Sequence, residues 1–359
     1  MISAQSRTKD WIMGIRGTSR IPTDPILIEK MILALTLLEN LSTSGLDFIF
    51  KGGTSLLLVL GAPMRFSIDL DIVMETDQGL EEALQSVLQQ GILHRVEEDE
   101  RTSQIPKQHY KFFFNSAIER KESSILLDIL FEENPYPACQ MVGIQSDLVV
   151  TEGEITQIKC PAPECLLGDK LTAFAPHTTG ILYGKYKDLE IIKQLYDLGL
   201  LFDIVTDMNL VAATFHTIAA RELAYRGLNA FSPADVLADS FHTACLIGMR
   251  GYSSEKEYTE LLSGIKKLAG FVYAEHFTLD SAILCAAKVA YIAALIRKGD
   301  QNISRFDSMI DLSSLAIQNP AYNRLNKVKK TSPEAFYYFY HAIEDIVNLW
   351  SGMFDQQNS

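Results

Sequence analysis

Strand-like patterns are confined to one stretch of this chain, and that confinement limits its fold more than any other feature. Short apolar runs and alternation of apolar and polar residues, both typical of strands, occur between residues 45 and 155. Almost every other segment repeats its apolar residues at helical spacing. The predicted strands are Phe48–Phe50, Ile68–Met74, Tyr110–Phe114, Ser123–Phe131 and Asp147–Val150. The pattern therefore predicts an α+β first half and an all-helical second half.

The boundary between these halves is predicted near Pro161. Pro163 can occupy the first position of a helix, so helices are expected at Glu164–Ala175 and Tyr186–Phe202. In the first half, helices are expected at Asp24–Leu41, Gly79–Gln90 and Thr54–Leu60, the last with Thr54 near its N-cap. Because 359 residues exceed one typical domain, we predict two domains, residues 1–160 and 161–359.

Composition excludes several classes of protein. The chain has 32 Lys and Arg against 45 Asp and Glu, and its formal charge of −13 argues against a general basic coat, though not against a local basic groove. Lys288 interrupts the most apolar segment, and the N-terminus lacks an apolar signal core, so no membrane attachment is expected. The five cysteines include no C-x-x-C pair. We therefore predict a cytoplasmic protein without disulfide partners.

Two glycines follow the first predicted strand, in the segment Lys51-Gly52-Gly53-Thr54. Glycines at a strand-to-helix turn let the backbone approach a phosphate, which then faces the free N–H groups of the helix. The Gly-Lys-Ser/Thr of a Walker A loop does not follow. By itself the segment indicates either a phosphate cradle or an ordinary tight turn.

Three aspartates are candidate metal ligands. Asp69 and Asp71 stand at positions i and i+2 of a predicted strand, so their carboxylates share a face and repel each other unless a cation lies between them. The pair indicates either a Mg²⁺ site, since Mg²⁺ prefers oxygen ligands, or an ordinary half-exposed strand whose acids face water. Asp128 lies in a strand with apolar neighbours, where a carboxylate needs a partner. It either completes a three-carboxylate, two-metal site for phosphoryl or nucleotidyl transfer or forms a structural ion pair.

These residues together resemble a known family. Gly52-Gly53-Thr54 is followed after fourteen residues by Asp69-x-Asp71, with Arg65-Phe66-Ser67 just before the acids. Further blocks match around Asp128, at Leu167–Phe174 and at Lys193–Leu198. The ordered combination, over roughly residues 25–205, resembles the AbiEii/AbiGii (MenT-like) toxin family within the DNA polymerase β-type nucleotidyltransferase superfamily.

The resemblance implies a fold and a set of site residues. The expected fold is a nucleotidyltransferase-type mixed sheet flanked by helices and followed by a helical C-terminal domain. Gly52, Gly53 and Thr54 would hold a nucleoside triphosphate. Asp69 and Asp71 would bind metal, and Asp128 would be the third ligand or the base for the acceptor hydroxyl. Lys170 and Asp197 would contact the nucleotide, although Gln194 stands where the family commonly has an acid.

The resemblance also implies an activity, namely Mg²⁺-dependent transfer of a nucleoside monophosphate from an NTP to an acceptor hydroxyl with release of pyrophosphate. A tRNA 3′ end is the candidate acceptor. The biological role would be that of the toxin in a toxin–antitoxin or phage-defence pair, with a separate antitoxin protein. The alternative is a non-catalytic NTP-binding regulatory module with the same fold.

The residues themselves leave further alternatives open. Lys170 emerges from an apolar helical stripe and either snorkels to water or meets an anion. Asp197 shares a polar stripe that indicates either a solvated helix face or a functional one. Seven scattered histidines indicate structural or surface roles. The densest basic cluster precedes an aromatic run and favours either RNA contact or ordinary helix packing; its members are Arg324, Lys327, Lys329 and Lys330.

Overall fold

The protein is described here by a computed structural model that covers residues 1–18, 23–99, 105–273 and 275–344. It divides into two compact units. The strand-bearing unit comprises Met1–Ala162 with Gly270–His276, and the helical unit comprises Pro163–Ala269 and the chain from Phe277 onward. Sequence periodicity does not indicate that 270–276 joins the first unit. Residues 270–276 join the strand-bearing unit through backbone hydrogen bonds. Phe66 N donates to Phe271 O (2.8 Å), and Tyr273 N donates to Met64 O (2.9 Å).

A mixed five-stranded sheet forms the centre of the strand-bearing unit. Its strands are β1 (Ile49–Lys51), β2 (Leu70–Met74), β3 (Arg95–Glu98), β4 (Lys107–Asn115) and β5 (Glu122–Phe131), in the order β1-β2-β5-β4-β3. β2 and β5 run parallel, and the other neighbouring pairs are antiparallel. Strands β6 (Cys139–Gly143) and β7 (Gln157–Pro161) form a separate antiparallel pair.

Within the described residues, four α-helices accompany these strands: α1 (Lys9–Thr18), α2 (Pro25–Thr43), α3 (Gly52–Val59) and α4 (Leu80–Gln89). Helix α2 begins where predicted, because the Asp24 side chain accepts a hydrogen bond from Ile26 N (2.9 Å) and Pro25 occupies the first turn. On β5, residues Ile125, Leu127 and Ile129 are buried in the same core as α2. The alternate residues of β5 therefore face away from this core.

The helical unit contains seven α-helices within the described residues. They are α5 (Pro163–Ala173), α6 (Asp188–Ile204), α7 (Met208–Tyr225), α8 (Pro233–Gly248), α9 (Glu255–Leu268), α10 (Leu279–Lys298) and α11 (Pro333–Glu344). A 3-10 helix, Asn323–Lys330, precedes α11. The predicted α+β fold with a helical second half is confirmed.

Helix α10 requires a correction to the sequence argument. Within the described residues it is long and apolar enough to cross a membrane, despite Lys288. However, 72% of its most apolar window is buried inside the protein. The Lys288 ammonium is neutralised by Asp203, whose carboxylate oxygens accept its hydrogen bonds at 2.7 and 2.8 Å. These properties are those of a core helix in a soluble protein.

Two local predictions are wrong. Asp147–Val150 is a turn and not a strand, since its backbone groups bond to the N-terminal segment: Leu148 O accepts from Trp11 Nε1 (2.9 Å) and Val150 O from Ser3 N (2.8 Å). Helix α3 begins at Gly52 with Lys51 at its N-cap, so Thr54 lies inside the first turn. The prediction also misses β3, β6 and β7, which are only four or five residues long.

Candidate active site

One register position of the five-stranded sheet brings four polar side chains into a line. Asp71 on β2 pairs with Asp128 on the parallel strand β5. Lys51 on β1 lies opposite Asp71, and His109 on β4 lies opposite Asp128. Directly opposed residues on neighbouring strands point to the same face of a sheet. We call Lys51, Asp71, Asp128 and His109 the charged row.

Asp71 carries the strongest electrostatic signal in this row. Desolvation by the surrounding protein, together with the nearby charges of Asp128 and Asp69, raises the pKa of its carboxyl to about 6, against the opposing effect of Lys51 and Lys107. Lys51 and Lys107 lower the pKa of Asp71 by less than burial and the repulsion between the carboxylates raise it. The two neighbouring carboxylates are therefore not fully neutralised by the lysines. Such a pair favours a cation or a proton between its oxygens.

Asp128 is held by a histidine that sequence reasoning did not select. Nδ1 of His109 lies 2.7 Å from Oδ1 of Asp128, so the ring N–H donates to the carboxylate. The His109 side chain is 10% exposed and that of Asp128 is 29% exposed. The hydrogen bond therefore fixes one carboxylate oxygen and leaves the other on a partly open face. The scattered histidines gave no local signal for this contact.

Asp69 precedes β2 and contributes differently. Its backbone oxygen accepts a hydrogen bond from Thr54 Oγ1 (2.6 Å), which ties the start of β2 to α3. Among the described residues, no three His, Cys, Asp or Glu side chains are close enough to hold a metal ion by themselves. The structure thus places Asp69 near the charged row, as its effect on Asp71 shows. It does not show the expected convergence of Asp69, Asp71 and Asp128.

The glycine turn is shaped by the same carboxylate. Gly52 has φ +79°, and a Cβ atom there would overlap the Asp71 carboxylate. At Gly53 a Cβ atom would lie within 2.7 Å of Ser67 Oγ and also too close to the Arg65 guanidinium. Both positions therefore require glycine, since any side chain would displace the groups around the N-terminus of α3. The first turn of α3 starts directly beside Asp71.

Cations surround this turn and were not selected from the sequence. Arg65 is 7% exposed, and its Nη1 donates to Phe66 O (3.1 Å). Lys107 lies two residues before His109 on β4 and acts on Asp71 electrostatically. Buried Arg65 and half-buried Lys51 beside the helix N-terminus, with exposed Lys107, create a positive potential that suits phosphate groups.

The remaining predicted residues lie in the helical unit and contact each other. Lys170 Nζ on α5 lies 2.8 Å from Asp197 Oδ2 on α6, and it also donates to Gln194 Oε1 at 3.4 Å. The side chains of Lys170 and Asp197 are 7% and 0% exposed. The interpretation of Asp197 as part of a solvated face is therefore wrong, and Lys170 meets an anion from its own unit.

The donor set of the charged row fits Mg²⁺ in its chemistry. Asp71 and Asp128 offer hard carboxylate oxygens, and burial together with their repulsion raises the pKa of Asp71, a repulsion that a bound cation would relieve. Mg²⁺ is commonly held by one or two carboxylates together with substrate phosphates, so a third protein ligand is not required. A metal role for Asp69, Asp71 and Asp128 stays a prediction.

Comparison with known proteins places the chain in a family. Residues 36–265 match the model described as nucleotidyl transferase AbiEii toxin, type IV TA system. The chain is similar to the crystal structure of JHP933 from Helicobacter pylori, with 16% identity and a TM-score of 0.45 over 76% of this chain and 94% of that one. It is also similar to the nucleotidyltransferase toxin MenT4 from Mycobacterium tuberculosis, with 12% identity and a TM-score of 0.43 over 87% of this chain and 94% of that one. No curated protein matches the chain.

The family match covers more than half of the chain and spans the glycine turn, the charged row and the Lys170–Asp197 pair. The chain therefore belongs to the AbiEii family of nucleotidyltransferase toxins.

Proposed function

We propose that this nucleotidyltransferase moves a nucleoside monophosphate from an NTP to an RNA 3′ hydroxyl, in a Mg²⁺-dependent reaction that releases pyrophosphate. The observation that carries the proposal is the register of Asp71 with Asp128 beside the N-terminus of α3. It places two carboxylates next to backbone N–H groups and the Lys51, Lys107 and Arg65 cations, a combination suited to a metal-bound triphosphate.

The acceptor oxygen forms a bond to the α-phosphorus, and the bond from that phosphorus to the bridging oxygen of the pyrophosphate breaks. Asp128 takes the proton of the acceptor hydroxyl on the oxygen that His109 does not occupy. Lys51, opposite Asp71 on β1, and Lys107, on β4 beyond Asp128, offset charge on the leaving pyrophosphate.

Mg²⁺, held by Asp71 with Asp69 nearby, would supply Lewis-acid stabilisation of phosphate charge, and Asp128 would keep its free oxygen for the proton. The glycine turn would bind phosphate oxygens through the backbone N–H groups of Gly53 and Thr54. The Thr54 hydroxyl is unsuited to that role because it already donates to Asp69 O. Lys170 and Asp197 are assigned to nucleotide binding by resemblance to the family, and their buried ion pair supports a fixed orientation of the lysine.

We further propose a tRNA 3′ end as the acceptor and a separate antitoxin protein that opposes the activity in the cytoplasm. Support comes from the family, which is described as the toxin of a type IV toxin–antitoxin system.

The test is release of pyrophosphate from each NTP, with and without total tRNA, in Mg²⁺ and in EDTA. We expect release that depends on Mg²⁺ and tRNA, with a radiolabel from one NTP transferred to the tRNA 3′ end. The matched control is Asp77→Asn, since Asp77 is an exposed acid on the same unit. Release that persists in Asp71→Asn would contradict the assignment of the site.

A further inference from the structure

A second positively charged feature lies in the helical unit, outside the residues assigned above. The C-terminal end of α8 and the 3-10 helix Asn323–Lys330 enclose a pocket of 330 Å³. Its polar lining is supplied by Arg250, Arg324, Lys327 and Thr331. The volume is at the lower end of the range of small-ligand pockets, about 300–1,000 Å³. In a chain with a net charge of −13, three cations in one pocket are a local exception.

The 3-10 geometry explains how these cations are aligned. Side chains at i and i+3 of a 3-10 helix stand above one another, so Arg324, Lys327 and Lys330 share one face. All three are exposed, whereas Leu325 and Val328 form the buried stripe of the same helix. We call Arg324, Lys327 and Lys330 the basic row.

Lys329 shows what a structural lysine of this helix does instead. Its Nζ turns inward and donates to the backbone oxygens of Ser313 (3.0 Å) and Leu315 (2.8 Å). Among the described residues, the members of the basic row form no ion pair with an acid, and the nearest pocket cation, Arg250, has only an exposed contact to Asp280 at 3.4 Å. Exposed pairs of that kind are weak, so most of the positive charge is available to a ligand.

An aromatic ring extends the basic row. The Arg324 guanidinium lies over the ring of Tyr252, 3.5 Å from its centroid, and Tyr252 is 57% exposed. Cations that alternate with exposed aromatic rings are typical of surfaces that bind single-stranded nucleic acid, because the rings stack on bases while the cations contact phosphates.

We propose that the basic row, with Arg250 and Tyr252, binds the phosphodiester backbone of a single-stranded RNA segment. Successive members of the row are about 6 Å apart, since a 3-10 helix rises about 2 Å per residue. That spacing is comparable with the separation of phosphates in an extended strand, and the whole row spans about 12 Å. A single free phosphate would engage only one end of it, and an acidic peptide has no base to stack on Tyr252.

The proposal rests on the proposed function only in taking RNA as the acceptor. Arg324, Lys327 and Lys330 follow residue 265, where the family match ends, so the basic row lies outside the matched part of the chain. In the proposal it holds RNA by its backbone, and the hydroxyl chemistry takes place elsewhere.

The experiment measures anisotropy of a fluorescent, unstructured RNA oligonucleotide titrated with the full chain in EDTA and without NTP. We expect Lys327→Glu to weaken binding about tenfold, as expected when a charge-assisted hydrogen bond is removed. The double variant Arg324→Glu/Lys327→Glu should weaken it further. Each phosphate that the variant no longer binds should flatten the slope of log affinity against log salt by about 0.7.

Lys266→Glu is the matched control, because Lys266 is an exposed lysine on α9 of the same unit and the change in charge is identical. It should leave RNA affinity unchanged. Unaltered melting temperatures of all variants would show that they fold. Lys327 has no hydrogen bond or ion pair within the described chain, so its substitution is the safest for stability.

Three results would overturn the proposal. The first is an unchanged RNA affinity in the double variant. The other two are displacement of the labelled RNA by inorganic pyrophosphate, or by polyglutamate, as effectively as by unlabelled RNA. The second would indicate a site for free phosphates, and the third a site for an acidic protein segment. Asp77→Asn, at an exposed acid of the strand-bearing unit, should bind RNA as the wild type does. If transfer fails everywhere while RNA binding still depends on the basic row, only the proposed function falls.

Discussion

Buried lysines in the helical unit are paired with carboxylates, whereas the charged row of the strand-bearing unit places two carboxylates side by side. In the helical unit, Lys170 touches Asp197 at 2.8 Å and Lys288 touches Asp203 at 2.7 Å, so each buried ammonium meets a carboxylate. In the charged row of the strand-bearing unit, two carboxylates are neighbours, and their repulsion and burial raise the pKa of Asp71.

The difference separates structural charge from functional charge. A buried pair of opposite charges is satisfied within the fold, and removal of one partner leaves an isolated ion. Adjacent carboxylates cost stability in the free protein and are relieved only by something that binds between them. Substitutions in the charged row should therefore affect activity, whereas those in the helical ion pairs should affect stability.

The largest expected effect is on transfer in Asp71→Asn. Loss of a carboxylate that holds the metal removes several kcal/mol of transition-state stabilisation, which corresponds to about a thousandfold or more in rate. Because the substitution also removes repulsion, the free energy of unfolding without metal should stay equal or rise. Radiolabel transfer and urea denaturation in EDTA measure the two quantities.

A marked loss of metal-free stability in Asp71→Asn would show that Asp71 is a structural partner of Lys51, and the contrast between the units would fail. The exposed Asp77→Asn variant should change neither quantity and controls for a general effect of net charge.

The second prediction concerns the ion pair of the helical unit. Asp197→Ala leaves the Lys170 ammonium buried without its carboxylate, so the free energy of unfolding should fall by about 3–5 kcal/mol. The double variant Lys170→Met/Asp197→Leu removes both charges and should recover most of that loss. Urea denaturation of the two variants and the wild type tests this directly.

Calorimetric titration of NTP into the folded double variant then separates structure from binding. Recovered stability with unchanged NTP affinity would remove Lys170 and Asp197 from the nucleotide site and leave the ion pair purely structural. Recovered stability with weakened affinity would support the role that family resemblance assigns to them.

The third prediction concerns His109, whose hydrogen bond orients Asp128. His109→Gln keeps a polar side chain of similar length but loses the ring nitrogen at 2.7 Å, so transfer should fall about 10- to 100-fold. His94→Gln is the control, since His94 contacts the exposed Glu122 instead.

Much of this site could be predicted because its signals are local. The glycine pair, the Asp-x-Asp spacing and the apolar strand around Asp128 are each visible within a few residues. The adjacency of Asp71 and Asp128 follows once β2 and β5 pair in parallel. These short-range patterns, together with the family resemblance, were sufficient for the fold class.

His109 and the Lys170–Asp197 pair could not be predicted because they depend on contacts between distant segments. The placement of His109 requires the register of β4 against β5, and a slip of one residue would turn its ring to the other face. The polar stripe of α6 suggests solvent exposure, but Asp197 is fully buried because Lys170 from α5 reaches it. Periodicity within one element carries no information about either partner.

The smallest expected effect is a dependence of stability on pH that originates in the helical unit. His177 is 52% exposed, but its Nδ1 lies 2.8 Å from Asp239 Oδ1 and its Nε2 lies 3.0 Å from Glu257 Oε1. The hydrogen bond to Asp239 is the main cause that raises the pKa of His177 to about 9, from 6.5. The charged imidazolium therefore links α8 to α9.

Because the folded pKa of His177 lies above its unfolded value, its contribution is fully present below pH 6.5 and is lost as pH rises through about 9. Solvent screening of this half-exposed group limits the loss to about 1 kcal/mol. Buried His242 has a pKa lowered to about 4, so its own effect lies below pH 6.5 and does not overlap. Urea denaturation at pH 6.5 and pH 9 should show the loss in the wild type and a smaller one in His177→Gln. An equal loss in both proteins would show that other groups cause it, whereas its absence from both would mean that the imidazolium bridge does not stabilise the fold.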